Sequence, residues 1–292
     1  MKNTILTSLI LAILLLTTKS FASLPNIPKE IDQNNYCDNK GGKHGHVIVV
    51  IDLTTKLDNA RIEFVKNQVF SEEFYLSYNP FTKFSYFLID NNEPTKQKFL
   101  FSKCRPKTGN KNFSKLEKAS FFENKKVLEN YSNRFFNEGN DLHDQIFSTK
   151  KHSKYSYIYE TIAYIFQNPK SDFGNKHSKR ELIIVSDLMQ NTERLSFYRA
   201  CNANSSNAKC PTFDVFMKNL SDKDYLLATS PNGEGIDLKL VYLNNRCETH
   251  KSLDKSLKVL WEDYFVSRKF NLKSTIHQTD INNINLIKKD KC

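Results

Sequence analysis

The chain has 292 residues, 39% of them hydrophobic, and carries a formal net charge of +11, which suits one large domain with a substantial core. Much of the positive excess is lysine beside asparagine, scattered over many segments. Without an arginine-rich helix carrying interleaved aromatics, this pattern argues against nucleic acid as a partner. A basic exported protein could meet anionic lipid, glycans or an acidic partner, but dispersed lysines read first as a solvated surface.

The amino terminus reads as a secretory signal over residues 1–22: Lys2, then the apolar run Ile5–Leu16, then Ser20-Phe21-Ala22 with small residues placed for cleavage after Ala22. The run is short of the roughly 20 residues that span a bilayer, although an uncleaved segment would act as a membrane anchor. No cysteine follows it directly, so a lipoprotein-type acylation site is absent, and no later segment is apolar enough to span. Removing Lys2 and Lys19 leaves a charge of +9. The expected location is periplasmic or extracellular.

Residues 23–44 are polar and rich in turn formers (Pro25, Pro28, Gly41, Gly42) and read as an extended leader. His46–Ile51 is an unbroken apolar run ending at Asp52, the pattern of a strand buried on both faces. Asp58–Phe70 places Ile62, Val65 and Val69 at helical spacing. Phe84–Ile89 and Phe99–Lys103 read as strands, and their nine-residue linker is too short for a helical crossover, so they pair antiparallel. Helices are expected over Lys115–Phe136 and Ser153–Gln167, the latter stopped by Pro169. Glu181–Ser186 is a further strand, again ending at an aspartate, Asp187. A short helix over Asp214–Leu220, a half-exposed strand near a sheet edge over Ile236–Leu243 and a closing helix over Leu253–Lys269 complete the domain, 45–270, before a tail, 271–292.

This order predicts a doubly wound α/β fold, mostly parallel with one antiparallel edge strand. Binding groups in such folds collect at the carboxyl ends of the strands, where Asp52 and Asp187 both fall. Two converging carboxylates need a cation or hydrogen-bond donors. Thr54 can present a hydroxyl from the same loop as Asp52, and Ser153 or Ser156 from another. Aspartates with hydroxyls make a hard oxygen site, suited to Mg²⁺, Mn²⁺ or Ca²⁺.

At these residues the chain resembles the von Willebrand factor A-type (vWA) domain. The resemblance lies in Val47–Lys56 (VIVVIDLTTK), the hairpin Phe84–Lys103, the helix around Tyr157–Ile165, and Leu182–Thr192 (LIIVSDLMQNT). It implies a doubly wound sheet and, in many members, a divalent cation that grips an acidic group on a protein partner. Against the family motif Asp-x-Ser-x-Ser, Asp52 matches, Thr54 stands for the first serine and Lys56 replaces the second. Asp187 matches the later aspartate; the family's separate threonine has no firm counterpart, and Ser153 and Ser156 are candidates. Either the Lys56 ammonium takes the cation's place, or it turns to solvent and Thr55 or water completes the shell. A metal-free scaffold, with Asp52 as a loop or helix cap, is the competing expectation.

All six cysteines lie beyond the signal, which makes disulfides the default for an exported chain. No Cys-x-x-Cys pair points to a zinc knuckle or redox site. Cys201 and Cys210 bracket a polar loop and are expected to pair. With Phe99–Lys103 antiparallel, Cys104 lies near the strand starts that Cys37 also approaches, giving Cys37–Cys104 and leaving Cys247–Cys292.

Other motifs carry less. His44-Gly45-His46 enters the first strand at the end away from Asp52, and Gly41-Gly42-Lys43 lacks phosphate-loop spacing. No Gly-x-Ser-x-Gly elbow occurs, and nothing in sequence selects a catalytic triad. The leading expectation is a non-enzymatic binding module that recruits a protein through its strand-end loops, with Asp52, Thr54, Lys56 and Asp187 central. A metal-assisted hydrolase and a structural subunit of an envelope or secretion assembly are the alternatives.

Overall fold

The computed structural model describes residues 31–38, 43–89, 99–110, 112–121, 123–148, 153–174, 177–205, 207–219, 231–243 and 251–277. The signal region and the Cys247 and Cys292 pairing lie outside them.

The apolar runs form the strands β1 (His46–Asp52), β2 (Lys83–Ile89), β3 (Phe101–Cys104), β4 (Arg180–Ser186), β5 (Ile236–Tyr242) and β6 (Asn271–His277). They make one sheet in the order β3-β2-β1-β4-β5-β6, parallel throughout except for β3. Alternation along β1 splits the core. Ile48 and Val50 join one hydrophobic cluster; Val47, Val49 and Ile51 join the other, on the opposite face. Helices α1 (Asn59–Val69), α2 (Glu72–Leu76) and α3 (Lys125–Ser148) cover the second face through Val65, Tyr75 and Phe135. Helices α4 (Ile158–Gln167), α5 (Phe197–Ala200), α6 (Phe213–Asn219) and α7 (Lys251–Ser267) cover the first through Ile162, Phe197, Phe216 and Trp261. The fold is the expected doubly wound α/β sheet with an antiparallel edge strand, braced by the disulfides Cys37–Cys104 and Cys201–Cys210. Disulfides of this kind belong to an oxidising compartment. Among the described residues, no helix is long and apolar enough to cross a membrane.

Some boundaries depart from the sequence reading. The helix expected from Lys115 begins at Lys125, because Glu117 turns inward to a buried ion pair with Arg105 and Asn124 caps a fresh start, accepting from Lys126 N at 3.0 Å. The helix expected from Ser153 begins at Ile158, because Ser153 N is bound to Thr54 O at 3.3 Å and Ser156 bridges to Asn191. β5 lies next to the sheet edge, as its alternation suggests, with β6 beyond it. β6 itself occupies residues 271–277, within the stretch read as a tail.

Helix starts follow from local chemistry. Asp58 accepts from Arg61 N at 2.8 Å and caps α1; Ser71 accepts from Phe74 N at 3.1 Å and caps α2. The start of α4 has no local side-chain cap; instead Gln190, from the loop after β4, accepts from Tyr159 N at 2.8 Å. That bond ties the helix to the loop that carries Asp187.

Candidate functional site at the strand ends

The chain leaves β1 toward one face and β4 toward the other, so the crevice between their carboxyl ends is the topological switch point of the sheet. Register sets the chemistry there. Ile51 is paired with Val185, which places Asp52 beside Ser186 and Asp187.

Asp52 is buried, and its two oxygens accept four hydrogen bonds. Thr54 donates its N–H and its hydroxyl to Oδ1 at 2.9 and 2.6 Å. Ser156 and Ser186 donate their hydroxyls to Oδ2 at 3.0 and 2.8 Å. Asp187 is also buried; its Oδ1 accepts from Met189 N at 3.0 Å and its Oδ2 from the Thr55 hydroxyl at 3.3 Å. Burial and, after it, the neighbouring Asp187 push the Asp52 carboxyl up to about 6, against the opposing pull of the Thr54 and Ser186 hydrogen bonds.

Of the residues singled out in sequence, Asp52, Thr54, Ser156 and Asp187 come together. Ser153 does not reach the carboxylates: its hydroxyl donates to Tyr155 O at 2.5 Å and accepts from Tyr155 N at 3.0 Å, shaping the rim. Lys56 is exposed and, among the described residues, forms no ion pair with either aspartate. Ser186 and Thr55 complete the arrangement. Thr55 is expected in the shell should Lys56 turn to solvent, whereas Ser186 is visible in sequence only as the neighbour of Asp187, its role depending on the β1–β4 register.

Beside these groups opens a polar cleft of about 330 Å³, lined among others by Thr54, Thr55, Ser156, Tyr155, Asn191 and Tyr198. Its walls are fixed. Ser156 and Asn191 exchange backbone hydrogen bonds at 2.9 and 3.0 Å, and Trp261 Nε1 donates to Leu188 O at 2.8 Å. Gln190, fully buried, donates to Glu160 at 2.8 Å.

The donor set fits a hard cation. A hydroxyl that gives its proton to Asp52 keeps its oxygen lone pairs, and the carboxylate behind it makes that oxygen more electron-rich. Thr54, Ser156 and Asp187 are therefore the residues that would hold Mg²⁺, Mn²⁺ or Ca²⁺, with Asp52 orienting the hydroxyls from behind. Among the described residues, no group of three or more His, Cys, Asp or Glu side chains gathers as a metal-ligand cluster, so any site here relies on hydroxyls.

At the other end of β1, His46 is buried. Its Nδ1 donates to Asp172 O at 3.1 Å and its Nε2 accepts from the Ser85 hydroxyl at 2.9 Å. It locks the lower sheet rather than binding metal with His44, which faces Asp38 at 3.2 Å.

No protein-family model matches the chain, and no curated protein matches it.

Proposed function

We propose that this is an exported, vWA-like binding module that recruits a protein partner through the switch-point cleft, a divalent cation bridging Asp187, Thr54 and Ser156 to an acidic group on the partner. The observation that carries this reading is two strand-end aspartates, furnished with hydroxyls, at the edge of an open polar cleft. The exposed Lys56 supports it too, because the ammonium leaves the cation's place free. A hydrolytic role fits the same geometry less well. Asp52 spends its oxygens on four donors and serves as a scaffold rather than a base poised over a substrate.

Titration calorimetry of chelator-treated protein with Mg²⁺, Mn²⁺ and Ca²⁺ tests the reading. Binding of at least one of these ions is expected, weakened about tenfold or more by Asp187→Ala, whose carboxylate is the one charged ligand. Capture of a partner from envelope extracts should then require the ion. Absence of cation binding, or capture unchanged in both chelator and Asp187→Ala, would remove the cleft from the function.

A further inference from the structure

We propose that the excursion between β3 and α3 is a docking surface for an anionic phospholipid membrane. Unlike the cleft, it leaves the sheet at its amino end, where Cys104 pairs with Lys83, the first residue of β2.

The base of the excursion is rigid. Arg105 is fully buried, forms an ion pair with Glu117 and donates to Tyr78 O at 2.6 Å. The second oxygen of Glu117 accepts from Thr108 N at 2.9 Å and from its hydroxyl at 3.2 Å. Lys107 pairs with Glu123 at 3.1 Å. Glu117 and Glu123 are the only acidic residues between 105 and 126, so both negative charges are consumed inside the excursion. Lys115, Lys118, Lys125 and Lys126 stay exposed on its surface, Lys125 in a solvent-facing pair with Glu129.

Three apolar side chains project among these lysines: Phe113 is 53% exposed, Leu116 56% and Phe121 96%. An acidic protein surface would satisfy the ammonium groups and leave those apolar tips in water. A lipid interface takes both, drawing the lysines to anionic headgroups while the rings and Leu116 enter the acyl boundary. The chain's own path points the same way. Cys37 is bonded to Cys104, and Asn35 O accepts from Cys104 N at 2.8 Å, so the amino-terminal stretch joins the domain at this end. The cleft then faces away from the bilayer, toward a partner.

Sedimentation with vesicles of phosphatidylcholine, with and without phosphatidylglycerol, tests the proposal on the exported chain. Comparing variants in that one background cancels any contribution of the apolar amino-terminal run. Binding should be about tenfold or more stronger to the anionic vesicles and should collapse at high salt. Lys115→Gln and Lys118→Gln should each weaken it about fivefold. Joint replacement Phe113→Ser, Leu116→Ser and Phe121→Ser should weaken vesicle binding while melting at the parent's temperature, since all three positions are exposed. A Phe121→Trp variant should be quenched by brominated anionic lipid; Trp261, which is buried, provides the unquenched reference. Equal binding to both vesicle types, or no quenching, overturns the proposal. So does tight binding to soluble polyglutamate that the apolar replacements leave untouched, which would identify an acidic polypeptide as the occupant.

Discussion

Asp52 and His46 stand at opposite ends of one strand and titrate in opposite senses. Asp52 is held up to about 6, above the ordinary 3.8, so between those values the fold binds a proton that the unfolded chain has lost. Its contribution to stability is complete below about pH 4 and is lost as pH rises through about 6. His46 is pushed down to about 3, first by burial and then by the charges of Lys83 and His177. Its contribution is complete above about pH 6.5 and is lost as pH falls toward 3. Asp52→Asn imitates the protonated carboxyl. It should match the parent near pH 4 and exceed its stability at pH 7.5 by about 3 kcal/mol, at about 1.4 kcal/mol per pH unit of displacement. Urea melts across that range would lose the aspartate's slope in the variant. Mg²⁺ relieves the same repulsion that the proton relieves, so it should raise the parent's melting temperature at pH 7.5 and not at pH 5. A variant no more stable than the parent at pH 7.5 would mean that the four hydrogen bonds already outweigh the buried charge.

What could be read from sequence at the level of elements followed burial. β1, β2 and β4 are near-continuous apolar runs because both faces are covered, and α7 keeps one apolar stripe, so these were legible. β6 was not, because an edge strand such as NLKSTIH carries polar residues outward and loses the signal that β1 has. The start of α4 was hidden for another reason: its cap, Gln190, arrives from a loop more than thirty residues later. For the site, the two aspartates and Thr54 followed from their position after strands, whereas Ser186 required the β1–β4 register. The loop after β4 is the element on which the cleft depends. It turns through Leu188 at φ 59°, a left-handed conformation uncommon for leucine, and Trp261 holds that turn by donating to the Leu188 carbonyl at 2.8 Å. Trp261→Phe keeps most of the packing against Phe197 and Phe265 but leaves the carbonyl with only the bond from Gln190 N at 3.1 Å. A cost of about 0.5–1.5 kcal/mol follows from the loss of one of its two hydrogen bonds. Cation affinity should fall several-fold although Trp261 does not line the cleft, a difference that melting and calorimetry on one preparation would register. Unchanged affinity alongside lowered stability would show that the loop holds Asp187 without this bond.

Over the whole molecule, the proposed roles fall at opposite ends of the sheet, and each end carries one of the described disulfides. Cys37–Cys104 fastens the amino-terminal segment beneath the lysine-rich excursion, whereas Cys201–Cys210 closes the loop that contributes Asn204, with Tyr198 just before it, to the wall of the cleft. Chain entropy separates their energetic weights. The first spans 67 residues of sequence and the second 9, for which loop closure alone gives about 4 and about 2.5 kcal/mol. Function should rank them in the reverse order. Cys37→Ala with Cys104→Ala should lower stability more in urea melts yet leave cation binding at the cleft intact wherever the protein stays folded. Cys201→Ala with Cys210→Ala should cost less stability and still weaken the cleft, because Asn204 and Tyr198 lose a fixed wall. Vesicle binding should divide the pairs the other way, the first double replacement disturbing the base of the excursion at Cys104 and the second leaving it untouched. If both replacements weakened cleft and vesicle binding in step, the two ends would form one coupled unit, and the membrane-facing and partner-facing roles could not be assigned to separate faces.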